Sequence, residues 1–256
     1  MIKRWKLTIE YHGGPFSGWQ RQADGIASVQ QVVEDALFAF CQKRIVLYAA
    51  GRTDAGVHAK GQVAHLDLDY GERSLSGYDL AKALNAHLCT QPVSVTAAEN
   101  VSVDFHARFD AKNKLYTYRI VERSAPPAIE RGLTWHVRRG LDVQAMQEAA
   151  TFLLGHHDFT TFRDSACQAK SPVRTLERLD VEEQGYDAYG GREIVIHAEA
   201  RSFLHHQVRN MVGTLTLVGK GRWQPEDVRT ALEAQDRTKG GPTAPAEGLY
   251  LIHIDY

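Results

Sequence analysis

The sequence predicts an α+β protein made of two similar halves, each with antiparallel strands and the order β-α-β-β-α-β. Two observations support this class. Short alternating apolar stretches, typical of strands, are separated by segments in which apolar residues recur at helical spacing, and the same order of elements returns in the second part of the chain. A chain of 256 residues is long enough for two domains of ordinary size. We expect these domains at residues 1–104 and 105–256.

The elements of the first half are marked by their periodicity and by cap residues. Ser28 and Gln31 form a capping-box pattern, and apolar residues then recur at helical spacing up to Phe40. In order, the predicted elements are a strand at 4–11, a helix at 29–40, strands at 44–49 and 60–68, a helix at 78–88 and a strand at 92–101. This split β-α-β order is typical of ferredoxin-like and RRM-like domains.

The second half repeats the order with one extra helix. Its predicted elements are strands at 105–122 and 132–139, a helix at 142–154, strands at 174–184 and 192–201, helices at 205–219 and 225–234, and a strand at 248–255. No flexible linker separates the halves, so we expect their sheets to join side by side around a central cleft. The loop RTKGGPTAPA at 237–246 is rich in Gly and Pro and is predicted to be mobile.

The composition indicates a cytoplasmic protein without membrane segments. No run approaches the length of apolar chain that a membrane helix needs, and the first residues lack the apolar core of a signal peptide. The three cysteines are far apart and odd in number. They fit a reducing compartment and supply neither a disulfide framework nor a CxxC metal motif.

Charge is segregated along the chain although the formal net charge is only −1. Residues 105–140 hold eight Lys or Arg against three acids, residues 201–223 hold four Lys or Arg and no acid, and residues 177–193 hold six acids. This pattern lets a near-neutral protein present a basic face to nucleic acid. Chance clustering on solvated faces explains the same counts.

Several classes of catalytic site are disfavoured by the motifs. The stretch HHD at 156–158 and the pair His205–His206 lack HExxH or His/Cys/Cys spacing, so no catalytic metal is expected. There is no GxSxG motif, no P-loop and no GxGxxG after a strand. The sequence therefore argues against a serine nucleophile and predicts no nucleotide cofactor.

Asp54 is the candidate that remains. It lies in the stretch GRTDAGVHA at 51–59, between Gly51 and Gly56, which suit a sharp bend close to a ligand. Arg52 shares its face in an extended segment and favours the ionised carboxylate, which can act as nucleophile or base. A purely structural turn explains the same residues.

Three further stretches suit contact with RNA. The loop YHGGPFSGWQRQ at 11–22 combines aromatic, amide and basic side chains with glycines. The stretch KLYTYR at 114–119 places Tyr116 and Tyr118 on one face of a basic strand, as a base-stacking platform requires. The helix start FLHHQVRN at 203–210 is basic and free of acids.

These motifs together resemble the tRNA pseudouridine synthase A family. GRTDAGVHA is similar to its catalytic motif, and the loop at 11–22 is similar to its N-terminal signature. Its later blocks are matched in the same order by FHARF at 105–109 with YTY at 116–118, FLHHQVRNMVG at 203–213 and AEGLYL at 246–251. The resemblance spans nearly the whole chain. His12 departs from it, because the family signature has an acidic residue there.

The resemblance implies a pseudouridine synthase fold and isomerisation of uridine to pseudouridine at positions 38, 39 and 40 of the tRNA anticodon arm, without metal or cofactor. It implies that Asp54 is the nucleophile, attacking either the ribose C1′ or the uracil ring. Arg209 matches the basic residue held against that aspartate. Tyr116 matches the tyrosine that stacks on the target uracil and acts as the final base, with Tyr118 as the alternative.

The remaining matches imply a site for a nucleotide flipped out of the stem. Arg52 is implied to fill the vacated space, and Leu249 to form an apolar wall under the base. His58, His205 and His206 are implied to line the same region, and a packing role suits each of them equally. Family members act as homodimers, with the RNA arm lying across both subunits.

Three other functions compete with this interpretation. A non-catalytic RNA-binding protein of two RRM-like halves explains the basic strand and the aromatics but not the Asp54 turn. A metal-dependent nuclease would use Asp54 with the histidine pairs. A pseudouridine synthase that acts on other tRNA uridines would share every motif.

Overall fold

The chain folds into two compact units in the computed structural model, which describes residues 2–23, 25–71, 75–138 and 140–256. The first unit comprises the chain up to Lys112 together with Leu251–Tyr256, and the second comprises Asn113–Tyr250. The chain therefore leaves the first unit after Lys112 and returns to it at Leu251. The sequence-based boundary instead placed the division after residue 104 and the whole last strand in the second half.

Five α-helices and eleven strands form within the described residues. The elements up to Lys112 are β1 (Ile2–Tyr11), α1 (Val29–Cys41), β2 (Tyr48–Ala49), β3 (His58–Asp69), α2 (Gly77–Leu88) and β4 (Val93–Val101). Those that follow are β5 (Asn113–Glu122), β6 (Trp135–Val137), α3 (Val143–Thr151), β7 (Gly155–Asp158), β8 (Val173–Leu176), β9 (Arg178–Gly185), β10 (Arg192–Ala200), α4 (Gln207–Gly219), α5 (Pro225–Glu233) and β11 (Leu249–Asp255). The strands pair mainly antiparallel, and the α+β class is confirmed.

In the first unit the strand order is β4-β1-β3, with β11 beside β3. Strand β1 is antiparallel to both β3 and β4, and the short β2 pairs with the middle of β3. Leu7 and Ile9 of β1 and Leu66 of β3 are fully buried, as are Leu37 of α1 and Leu80 of α2. Apolar residues from the sheet and from both helices therefore supply the core of this unit.

In the second unit β5, β10 and β9 form an antiparallel sheet in the order β5-β10-β9. Strand β6 adds to β5 in parallel, and β7 pairs with β8 in a separate two-stranded sheet. Helix α3 packs against β9, α4 and α5. Met146 of α3, Ile196 of β10 and Leu215 of α4 are fully buried and mark the core.

The strand predicted at 44–49 is wrong except for its last two residues, because residue 47 bonds to a side chain instead of a neighbouring strand. The Leu47 N–H donates to Glu34 Oε1 at 3.1 Å. Glu34 is buried on α1, accepts a hydrogen bond from Gln30 Nε2 at 2.8 Å and pairs with Arg21 at 3.0 Å. A buried carboxylate thus takes the place of a strand partner.

Other strands differ from their predicted bounds. The strand predicted at 105–122 begins only at Asn113, because the His106 N–H donates to Asp110 Oδ2 at 2.7 Å and the chain turns there. Strand β6 covers the middle of the strand predicted at 132–139, of which residue 139 lies outside the described residues. The long strand predicted before β10 is divided into β8 and β9, and β7 has no predicted counterpart.

The predicted helices are confirmed to within about three residues at their ends. Ser28 Oγ accepts the Gln31 N–H at 3.4 Å and caps α1, and Pro225 is the first residue of α5. In the part of the chain that the structure describes, no helix has the length and apolar character needed to cross a membrane.

Replacing Glu34 by Ala is expected to destabilise the protein by about 1–3 kcal/mol, because the buried Leu47 N–H loses its acceptor. Glu34→Gln keeps an acceptor oxygen and should cost less. Asp35→Ala, at the exposed neighbouring position, is the matched control and should change stability by less than about 0.5 kcal/mol. Chemical denaturation measures the three changes, and equal losses for Glu34→Ala and Asp35→Ala would contradict the role of Glu34.

Candidate active site

Asp54 lies in a tight turn that connects β2 to β3. The Val57 N–H donates to the Asp54 carbonyl oxygen at 3.2 Å and closes the turn, and Gly56 has a φ of +78°. Glycine adopts a positive φ without a steric penalty. The Asp54 residue is half-buried, and Arg52 is exposed. Asp54 is therefore the first residue of a closed turn, and Arg52 lies two residues before it.

The residue before Asp54 anchors this turn to the rest of the first unit. Thr53 Oγ1 lies 2.8 Å from the Tyr11 hydroxyl, and the Trp19 N–H donates to the Thr53 carbonyl oxygen at 3.1 Å. All three residues are buried. Burial raises the pKa of Tyr11, so its hydroxyl stays protonated and available for this bond. Thr53 is thus fixed through its side chain and its main chain.

Gly13 holds the turn from the other end. A Cβ built on Gly13 would lie 2.0 Å from the Val57 carbonyl oxygen, so the position has no room for a side chain. The Gly13 N–H donates to His58 Nδ1 at 3.0 Å. The loop at 11–22, predicted from its composition to contact RNA, therefore also supports the Asp54 turn. Sequence reasoning missed this second role, although its glycines were a signal of close packing.

His58, the first residue of β3, is only 1% exposed. Its Nδ1 accepts the Gly13 N–H, and the ring of His12 lies 4.7 Å from its own ring, centroid to centroid. This arrangement gives His58 a packing role in holding the loop. His12, which stands where the family signature has an acid, takes part in the same packing.

Tyr116 and Tyr118 lie on the same face of β5 but in different surroundings. Tyr116 retains 9% exposure, and its ring meets Phe203 edge to face with the centroids 5.3 Å apart. Tyr118 is fully buried, and its hydroxyl donates to the Pro245 carbonyl oxygen at 2.7 Å. Burial raises the pKa of Tyr118. The ring of Tyr118, the alternative to Tyr116 for stacking on a base, is therefore covered, whereas part of Tyr116 remains exposed.

His205 and His206 precede α4 and share one carboxylate. Their ring centroids lie 4.0 Å apart, and Asp164 Oδ2 lies 2.7 Å from His206 Nδ1. Burial acts to raise the pKa of Asp164, but the Ala166 N–H and the two imidazoles together outweigh it and hold that pKa below its usual range. Sequence reasoning missed Asp164, because it is far from both histidines in the chain and belongs to no motif.

Arg209 lies in the first turn of α4 and is half-buried. Its Nε donates to the Ala244 carbonyl oxygen at 2.8 Å. Leu249, buried at the start of β11, follows the short 3₁₀ turn Ala246–Gly248. One stretch of chain, 244–249, therefore carries Leu249 and holds Arg209 and Tyr118 through neighbouring carbonyl groups.

The histidine pair on β7 is engaged in structural hydrogen bonds. His156 Nδ1 lies 2.9 Å from Thr175 Oγ1, and His157 Nε2 lies 2.7 Å from the Leu154 carbonyl oxygen. One nitrogen of each ring is thus used within the two-stranded sheet or the turn before it. This favours a structural role for both residues.

Known proteins match this chain over nearly its whole length. A family model described as tRNA pseudouridine synthase matches residues 7–110 and 149–256. The chain belongs to the tRNA pseudouridine synthase family. A protein named tRNA pseudouridine synthase A from Paramagnetospirillum magneticum is 56% identical over 255 residues, which cover 100% of this chain and 96% of that protein. The protein of the same name from Rhodospirillum centenum is 54% identical, over 100% of this chain and 100% of its own length. That from Rhodospirillum rubrum is 51% identical, over 99% of this chain and 87% of its own length.

The match to the tRNA pseudouridine synthase family model includes some of the candidate site residues and leaves out others. The matched ranges contain the Asp54 turn, the loop that supports it, α4 and β11. Tyr116 and Tyr118 lie between the ranges, in a segment that the full-length relatives cover but the family model does not. Their assignment therefore depends more on their surroundings in the structure.

In this family member, Gly13→Ala is expected to lower stability by about 1–3 kcal/mol, because the new Cβ must displace the Val57 carbonyl. Gly185→Ala is the control, since a Cβ at Gly185 meets only open space. Thermal unfolding compares the two variants with the wild type. Equal melting temperatures for the two variants would contradict the support of the Asp54 turn by Gly13.

Proposed function

We propose that this protein is a tRNA pseudouridine synthase that converts uridine to pseudouridine at positions 38, 39 and 40 of the anticodon arm. The observation that carries the proposal is the Asp54 turn, a closed bend fixed by a glycine-rich loop of the same unit. A catalytic carboxylate needs such a fixed presentation. Relatives with 56% and 54% identity are named tRNA pseudouridine synthase A.

The proposed reaction exchanges one bond of the nucleoside for another. The bond between ribose C1′ and uracil N1 breaks, the base rotates, and a bond forms between C1′ and C5. The C5 proton leaves and N1 gains a proton, so the product has the mass of the substrate and no oxidant or reductant is consumed. Asp54 adds to C1′ or to the uracil ring and departs when the carbon–carbon bond is complete.

Two residues of the second unit complete the proposed chemistry. Arg209 is the basic residue proposed to stabilise the negative charge of the catalytic aspartate, as the family motif implies. Tyr116 stacks on the uracil and accepts the C5 proton. We prefer it to Tyr118, whose ring is fully buried and whose hydroxyl is bound to the Pro245 carbonyl.

A uridine paired in the stem must leave the stack before it reacts, at a cost of about a few kcal/mol. Arg52 is the proposed residue that enters the vacated space, since it is exposed and lies two residues before Asp54. Leu249 is the proposed apolar wall under the flipped base. Both roles are taken from the family motifs. The exposure of Arg52 supports its insertion into the RNA, and the buried position of Leu249 supports its role as an apolar wall.

The three histidines divide into two proposed roles. His205 and His206, which are oriented by Asp164 and reach the surface, contact the RNA backbone. His58 acts indirectly, because it is buried and holds the loop at Gly13.

The proposed partner is the tRNA anticodon arm, bound across a homodimer in the cytoplasm, with neither metal nor cofactor. Binding through phosphate groups should weaken as salt is added. The competing functions are a non-catalytic RNA-binding protein, a metal-dependent nuclease and a synthase for other tRNA uridines.

Asp54→Asn tests the proposed nucleophile in the full chain. We expect the wild type to release tritium from tRNA labelled at uridine C5, and the variant to be slower by about 10⁴-fold or more. Binding of tRNA should stay close to that of the wild type, because the substitution keeps the size of the side chain. Asp35→Asn, on the exposed face of α1, is the control and should keep full activity.

The same assay separates the competing functions. Parallel reactions are run with and without EDTA, and the RNA is checked for cleavage. A non-catalytic RNA-binding protein would bind the tRNA without releasing tritium, and a metal-dependent nuclease would cut it only without EDTA. Tritium release by Asp54→Asn at the wild-type rate would contradict the role of Asp54.

A further inference from the structure

A segment that the sequence predicts to be mobile is fixed to α4 in the structure. We call this segment, residues 237–246, the strap. Among the hydrogen bonds that join it to α4 are those from the Gly241 N–H to Thr214 Oγ1 at 2.9 Å, from Thr243 Oγ1 to Asn210 Oδ1 at 2.7 Å and from the Ala244 N–H to the Arg209 carbonyl oxygen at 3.1 Å. The composition predicted mobility, whereas these hydrogen bonds hold the segment against α4.

Arg237 is the centre of this network. Its Nη1 donates to the Gly241 carbonyl oxygen at 2.9 Å, and its Nη2 lies 3.1 Å from Asn210 Oδ1 and 3.2 Å from Thr243 Oγ1. Asn210 is buried, and its Nδ2 donates to the Phe162 carbonyl oxygen at 2.8 Å. One guanidinium thus closes the strap on itself and ties it to a fixed side chain of α4. Hydrogen bonds from a charged donor are stronger than those from a neutral one.

The far end of the strap holds two residues of the candidate site. The Ala244 carbonyl oxygen accepts from Arg209 Nε at 2.8 Å, and the next carbonyl, that of Pro245, accepts from the Tyr118 hydroxyl at 2.7 Å. A guanidinium is planar, so fixing its Nε fixes the direction of its other nitrogens. The path of the strap therefore sets the orientation of Arg209.

We propose that Arg237 is a positioning residue for the isomerisation, acting through the strap on Arg209; this proposal rests on the proposed function. Arg237 fixes Gly241 and Thr243, these fix the chain up to Ala244, and the Ala244 carbonyl orients the Arg209 guanidinium. Without Arg237 the strap loses its internal bridge while the main-chain bond of Ala244 remains. Arg209 then keeps its charge but samples more than one orientation.

Two simpler roles for Arg237 predict different kinetics. A residue that only stabilises the fold lowers the melting temperature and leaves the rate of folded enzyme unchanged. A residue that binds an RNA phosphate raises KM and reduces the salt dependence of binding without changing the chemical rate. A positioning residue lowers kcat while KM for tRNA changes little, because the orientation of Arg209 matters most in the transition state.

The experiment compares Arg237→Met and Arg237→Lys with Lys239→Met, an exposed basic residue of the strap, in the full chain. Tritium release from C5-labelled tRNA gives kcat and KM, measured well below the melting temperature of every variant. We expect Arg237→Met to lower kcat about ten- to hundredfold, the range that misplacement of a catalytic group produces. Arg237→Lys should recover part of this loss, because lysine keeps the charge but not the forked geometry. Lys239→Met should keep the wild-type kcat.

Thr243→Val provides a second variant in case Arg237→Met does not fold. It keeps the shape of the side chain and removes the hydroxyl that bonds Asn210 and Arg237, so kcat should fall in the same direction. If the wild type is active and the folded Arg237 and Thr243 variants have the same kcat, the positioning role is overturned and the proposed function stands. A raised KM with unchanged kcat would overturn it in favour of phosphate contact. A wild type that releases no tritium would overturn the proposed function and this proposal together.

Discussion

The proposed site depends first on the contact between Gly13 and the Val57 carbonyl, where the two main chains approach too closely for any side chain to fit between them. The register of the sheet creates this contact. Tyr11 at the end of β1 pairs with Ala59 at the start of β3, so the residues just beyond each end must face one another. The Asp54 turn enters β3 at this point. Sheet pairing, a glycine and a closed bend together decide where the carboxylate is held.

The second unit fixes its site residues in a comparable way, with main-chain carbonyl groups. Arg209 and Tyr118 donate to the neighbouring carbonyls of residues 244 and 245, and Arg237 ties that stretch to α4. Main-chain acceptors have few ways to move once the chain is held at several points. The precision of these side chains therefore comes from a segment that contains neither an α-helix nor a strand. Such a segment is a suitable place to look for residues that control a rate without touching the substrate.

Much of the fold and part of the site could be predicted from the sequence. The helices follow from spacing and caps, and the turn at Asp54 follows from the glycines on either side of it, whereas the role of Asp54 came from the family resemblance. The break at residue 47 could not be predicted, since it depends on Glu34, a helix residue that accepts a main-chain hydrogen bond across space. The burial of Tyr118 could not be predicted either, because alternation places it on the same face as Tyr116, and the residues that cover it, such as Trp135 and Pro245, are distant in the chain.

In the proposed function this chain rearranges uridines of the anticodon arm without adding or removing atoms. Chemical mapping of pseudouridine on an unmodified tRNA transcript with uridines at positions 38, 39 and 40, before and after incubation with the full-length protein, tests it most directly. The proposed function requires new pseudouridine at those positions in a tRNA of unchanged mass. Uridines that all remain unmodified, or pseudouridine formed only elsewhere in the tRNA, would contradict it.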